Sequence, residues 1–117
     1  MAKPTELTYK ALRNLGIAYA KTEYWNPFAR QKYDLFGFID CIALMPKGIV
    51  AIQICGPGTL AAHRKAILKN PDAEQWLKSG GIINIYYWRK LKNKRGQKLV
   101  VWKLKVEEIF LESFKKH

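Results

Sequence analysis

Asp40 is the residue whose position most demands a chemical explanation. It stands within Phe36-Gly37-Phe38-Ile39-Asp40-Cys41-Ile42-Ala43-Leu44, an apolar run of strand character. Burying a lone carboxylate costs several kcal/mol unless a cation, a metal or hydrogen bonds compensate it. Gln53 poses the same question on the next run, Ile49 to Cys55. Side chains alternate along a strand, so Gln53 and Cys55 share a face, and a hairpin turning at Pro46-Lys47 sets Asp40 opposite Gln53. Two polar residues on adjacent central strands suggest a shared pocket, and a coordinated metal would offset the cost of the buried charge. With only nine acids in the chain, their placement is informative: between Tyr24 and Pro71 the acids are Asp34 and Asp40, among Arg30, Lys32, Lys47, Arg64 and Lys65. A purely structural alternative stands beside this one, with Asp40 paired to Lys32, Lys47 or Lys65 and Gln53 satisfying a backbone group.

Other chemistry is thinner. His63 and His117 are too few for a zinc site, and no Ser/His/Asp or Cys/His spacing suits a nucleophile. Gly56-Pro57-Gly58 before a helix can cradle a phosphate, but an ordinary strand-to-helix turn explains it as well. Cys41 and Cys55 form neither a disulfide framework nor a metal finger. Alternation puts them on opposite sheet faces, so they are expected to stay as buried, unbridged thiols.

The elements that must position these residues follow from pattern and punctuation. Leu7, Ala11, Leu12 and Leu15 repeat at helical spacing between Pro4 and Gly16. Ile17 to Trp25 reads as a strand, followed by a loop at Asn26-Pro27. Leu35 to Leu44 and Ile49 to Cys55 read as central strands covered on both faces, because apolar residues occupy both alternating sets. Helices are expected from Thr59 to Lys69 and from Asp72 to Ser79, and strands over Ile82 to Trp88 and Leu99 to Lys105. Glu107 to Lys116 is a terminal segment of undetermined type. The order α-β-β-β-α-α-β-β predicts an α/β fold, a mixed central sheet flanked by helices, as a single domain over residues 1–117.

Charge narrows the partner. Twenty-one Lys and Arg against nine Asp and Glu give +12 and a pI near 9.9. Such self-repulsion points to a polyanion, most commonly nucleic acid. A membrane is not expected, since the apolar runs are short and interrupted and the first residues lack a signal-peptide core. The expected setting is the cytoplasm, with the nucleoid or a viral host's cytoplasm as variants. Basic and aromatic residues interleave at Arg30, Lys32 and Tyr33 and again at Tyr86, Tyr87, Trp88, Arg89 and Lys90, a mixture that suits unpaired bases. Lys92, Lys94, Arg95 and Lys98 extend that second stretch without an acid, and together with Arg64 these cations form the expected nucleic-acid surface. Tyr86, Trp88 and Trp102 are equally explained as core aromatics.

A helix with an early Glu, a strand, then Phe38 to Leu44, a Pro-Lys-Gly turn and Ile49 to Cys55 resembles the PD-(D/E)XK nucleases. It is most similar to archaeal Holliday-junction resolvases and small phage-type relatives, over roughly residues 5–70. The resemblance implies a restriction-endonuclease-like fold and metal-dependent hydrolysis of DNA, more than RNA, by a homodimer. It matches Asp40 to the family's Asp, Gln53 to its second acid, Cys55 to its Lys and Glu6 to its helix Glu. Gln53 retains an oxygen for Mg2+ or Mn2+ but loses a charge, so the ion is expected to be weakly held. Cys55 cannot orient a water as Lys does, and that role passes to Lys65 or His63. Asp34 can restore the missing carboxylate. A nucleic-acid-binding module with a decayed site is the alternative.

Overall fold

The computed structural model describes residues 3–92 and 100–116. The first helix, α1, spans Pro4–Asn14, with Pro4 at its start, Glu6 in its first turn and Arg13 in its last. Both charges complement the helix dipole, and Gly16, at φ 71°, provides the left-handed residue that lets the chain turn away. Thr8 and Leu12 are its buried residues. Thr8 Oγ1 donates to the Pro4 carbonyl and accepts from Trp88 Nε1, each at 2.8 Å, tying the helix to the sheet.

The strands are β1 (Tyr19–Lys21), β2 (Tyr24–Asn26), β3 (Gln31–Tyr33), β4 (Cys41–Met45), β5 (Gly48–Cys55), β6 (Ile82–Lys92) and β7 (Val100–Ile109). Five form one sheet in the order β1-β4-β5-β6-β7, while β2 and β3 make a separate hairpin. The β5 to β6 pairing is parallel and the rest of the large sheet is antiparallel. Parallel neighbours require a crossover, supplied here by α2 (Leu60–Leu68) and α3 (Pro71–Lys78). A 3-10 helix, Leu111–Lys116, follows β7.

Two cores sandwich the sheet. Leu12 of α1 packs with Cys41, Val50, Ile52, Ile54, Tyr86 and Trp88. On the opposite face Ile67 and Ala73, from α2 and α3, meet Ile39, Ala51, Cys55, Ile83 and Ile85. Val50 to Cys55 is buried throughout, which is why β5 lacks polar alternation. The expected mixed sheet flanked by helices is therefore present. Cys41 and Cys55 are free, buried and divided between the two cores, as alternation requires. Tyr86 and Trp88 are core residues. Among the described residues no helix is long and apolar enough to cross a membrane.

Three expectations need correction. Ile17 to Trp25 is not one strand: β1 ends at Lys21, and the chain leaves the sheet through Thr22 and Glu23 to begin β2. Leu35 to Leu44 is not one strand either. Phe36 and Gly37 adopt φ of 55° and 82°, turning the chain back so that Leu35 bridges Ile39, and β4 starts only at Cys41. Finally β6 and β7 run on to Lys92 and Ile109, so Glu107 completes a strand. Lys94, Arg95 and Lys98 lie outside the described residues.

Candidate metal centre

The bend before β4 creates the site. Between Cys41 and Met45 the ladder to β5 is in register, with Cys41 opposite Ile52. Asp40 N–H instead donates to the Ile52 carbonyl, one position out of that register, and the Asp40 carbonyl accepts from Thr22 N–H at 3.0 Å. Such offsets re-aim a side chain and often lie beside functional sites. The Asp40 carboxylate consequently takes the place of a backbone acceptor: Oδ2 accepts from Ile54 N–H at 2.7 Å and from Gln53 Nε2 at 2.8 Å. Asp40 and Gln53 thus meet side by side across the hairpin. Gln53, however, faces Asp40 with its amide nitrogen, because a carboxylate with two donors on one oxygen needs an NH2 there. Its amide nitrogen holds the Asp40 carboxylate in place.

The β2–β3 hairpin supplies the remaining groups. Tyr24 pairs with Tyr33, Trp25 with Lys32 and Asn26 with Gln31. Alternation then gives the hairpin two faces. Tyr24 and Tyr33 stack on one, with ring centroids 5.6 Å apart. Glu23, Trp25, Lys32 and Asp34 belong to the other, and extending the register by one pair sets Glu23 across from Asp34. Oxygens of Glu23, Asp34 and Asp40 lie within 4.8 Å of one another. Lys32 Nζ sits 2.9 Å from Glu23, 3.5 Å from Asp40 Oδ1 and 3.6 Å from Asp34 Oδ1. Among the described residues, Asp34 Oδ1 and Asp40 Oδ1 are buried without a hydrogen-bond partner.

The electrostatics follow. Asp40 is 1 % exposed, and burial drives its pKa up to about 8, reinforced by Asp34 and opposed by the Ile54 N–H and Lys32. Burial pulls the Lys32 ammonium the other way, but its hydrogen bond to Glu23 and the charges of Asp40 and Asp34 outweigh this and leave its pKa raised. Cys41 is pushed up to about 12, chiefly by burial, and Cys55 is raised for the same reason. Neither thiol is a thiolate at neutral pH.

Three hard oxygen donors, two of them with a buried oxygen approached by the Lys32 ammonium, could hold Mg2+ or Mn2+. The sequence pointed to Asp40 and Asp34 but missed Glu23, one residue before the stretch in which acids were weighed. The signal was present in the hairpin register, which pairs Glu23 with Asp34 once Tyr24 is set against Tyr33. Glu6 is exposed on α1 and is not among the grouped carboxylates. His63 Nδ1 lies 2.9 Å from the Thr59 carbonyl and Lys65 is exposed; among the described residues neither bonds to Asp40.

The expected nucleic-acid surface is partly redistributed. Lys32, although half-exposed along its length, brings its ammonium to the carboxylates. Arg64 is held by both carboxylate oxygens of Glu107, which lowers the Glu107 pKa. Arg89 is exposed directly opposite Lys103, and Lys90 lies 5.0 Å from the centroid of the Trp102 ring. Arg30 is exposed in the hairpin loop with φ 51°. Lys92 ends β6 opposite Val100. No family model, curated protein or solved structure matches the chain.

Proposed function

We propose that this is a nucleic-acid-binding protein in which Glu23, Asp34 and Asp40 hold a Mg2+ or Mn2+ ion used to hydrolyse phosphodiesters, with DNA as substrate. The observation that carries this reading is a concentration of like charge: three of only nine acids in a +12 chain converge on one point. Such convergence raises proton affinity unless a cation joins it. A divalent ion there would neutralise charge developing on a phosphate and lower the pKa of a water.

The chain's own groups do the remaining work. Ile54 N–H and Gln53 hold Oδ2 of the Asp40 carboxylate and leave Oδ1 to the Lys32 ammonium. Lys32 brings beside the carboxylates the ammonium that Cys55 does not, close enough to exchange partners with a phosphate oxygen. Arg89 and Lys103, like charges directly opposite on adjacent strands, oppose folding unless a polyanion neutralises them, and Lys105 lies on the same face by alternation. The mixed sheet and the Asp40 hairpin support placement with the PD-(D/E)XK nucleases.

A second reading, a binding module without catalysis, is favoured by one observation: the Lys32 ammonium lies within 3.6 Å of all three carboxylates and supplies a built-in counter-charge. Incubation with branched, duplex and single-stranded DNA in Mn2+ separates the two. Hydrolysis is expected, slow, faster in Mn2+ than in Mg2+ and absent in Asp40→Asn, which still binds DNA. Binding without cleavage by the unmodified chain selects the second reading.

A further inference from the structure

Five large aromatic side chains are among the exposed apolar residues of the described chain, and four of them, Tyr24, Trp25, Phe28 and Phe36, lie within thirteen consecutive positions. Phe28 is 97 % exposed and Trp25 61 %. Three of the four, Tyr24, Trp25 and Phe28, lie on the β2–β3 hairpin, and exposed aromatics gathered on one element mark an interaction site more often than scattered ones do. The hairpin is also pre-set. Asn26 Oδ1 accepts from Phe28 N–H at 2.9 Å and from Ala29 N–H at 3.2 Å, which fixes the loop that carries Phe28 and Arg30. Trp25 is the cross-strand partner of Lys32 and shares with it the hairpin face to which Glu23 and Asp34 belong.

We infer that the β2–β3 hairpin binds unpaired bases of a single-stranded nucleic acid, with Trp25 and Phe28 as stacking platforms and Arg30 on the adjacent phosphate. Flat π surfaces accept any base, and each stack contributes without reading sequence, which suits a chain whose charge already attracts the backbone. Duplex DNA hides its base faces and offers these rings nothing comparable. A strand held on Trp25 passes beside Glu23, Asp34 and Asp40, so the hairpin names the substrate class of the proposed centre: single strands, or the unpaired segments of branched DNA. The inference rests on the nucleic-acid reading above and is independent of its metal.

The test is fluorescence anisotropy of labelled oligothymidine and of a duplex of equal length, both in EDTA. Trp25→Ala with Phe28→Ala is expected to weaken oligothymidine binding about tenfold or more, to leave duplex binding unchanged, and to preserve the salt slope because no charge is lost. Trp25→Phe, which keeps a ring, should restore much of the affinity when Phe28 is intact. Unchanged oligothymidine binding by the double variant overturns the inference, as does an equal loss on duplex. So does a loss of binding to phosphatidylserine vesicles with oligothymidine binding retained. Failure of the unmodified chain to bind either nucleic acid at low salt overturns the nucleic-acid reading itself.

Discussion

Asp40 Oδ2 accepts the Ile54 backbone N–H at 2.7 Å, so a side chain just ahead of β4 serves as acceptor for a backbone group of β5. The same oxygen takes Gln53 Nε2, and this leaves Oδ1 to the Lys32 ammonium that also meets Glu23 and Asp34. A single residue therefore serves both as a structural acceptor and as the buried oxygen of the candidate centre. Its two functions separate on substitution. Asp40→Ala leaves the Ile54 N–H and the Gln53 amide without an acceptor, at about 1–3 kcal/mol each. Asp40→Asn retains an acceptor for both, and urea unfolding should show it at least as stable as the parent at neutral pH. Equal destabilisation by Ala and Asn would contradict this division of roles.

The pH dependence of the metal-free chain has a definite sign. Burial raises the folded-state pKa of Asp40 from 3.8 to about 8, so between those values the folded chain binds a proton that the unfolded chain has released. Stability from this group is then full at low pH and is lost as pH rises through that window. In EDTA, the unfolding midpoint of the parent should fall more steeply from pH 5 to pH 8, about the range that window covers, than that of Asp40→Asn. Parallel profiles would show that Asp40 does not titrate there.

Lys32 competes for the position a divalent ion would take. Lys32→Met removes the ammonium 2.9 Å from Glu23 and 3.5 Å from Asp40, and should tighten Mn2+ binding about tenfold while destabilising the metal-free chain. Thermal unfolding with EDTA and with Mn2+ reads both effects: a lower midpoint in EDTA and a larger rise on adding Mn2+ than the parent shows. A midpoint in EDTA equal to the parent's would mean that Lys32 does not offset the carboxylates.

Thr8 is the hinge pin between α1 and the sheet in a literal sense of bonding, since its hydroxyl accepts from buried Trp88 Nε1 and donates to Pro4. Thr8→Val keeps the shape and leaves the indole N–H unpaired. A loss of about 1–3 kcal/mol in urea unfolding is expected, with Thr8→Ser losing less. No loss in Thr8→Val would remove this bond from the account of the fold.

The elements buried on both faces were the most legible in the sequence. Val50 to Cys55 could be read as a central strand because two cores claim its alternating residues, and Pro71 and Gly16 punctuated their helices by fixed backbone chemistry. What escaped was set by tertiary context. Phe36 at φ 55° is an uncommon conformation for an aromatic residue, so nothing local announced that the chain would turn there and free Asp40 from β4. The Asp40 and Gln53 pairing was legible from alternation across a hairpin. Lys32 was among the partners the sequence offered Asp40, and Glu23 could be found only through the hairpin register; the pairing of Arg64 with Glu107 was not legible, since it joins residues far apart along the chain.

The central claim is that Glu23, Asp34 and Asp40 form a divalent-cation site, and a calorimetric titration of the intact chain with Mn2+ tests it most directly. The expected result is saturable one-to-one binding that strengthens from pH 6 to about pH 8 as Asp40 gives up its proton, and is lost in Asp40→Asn and weakened in Asp34→Asn and Glu23→Gln. No heat of binding at the higher pH, or a titration that Asp40→Asn leaves unchanged, would contradict the account.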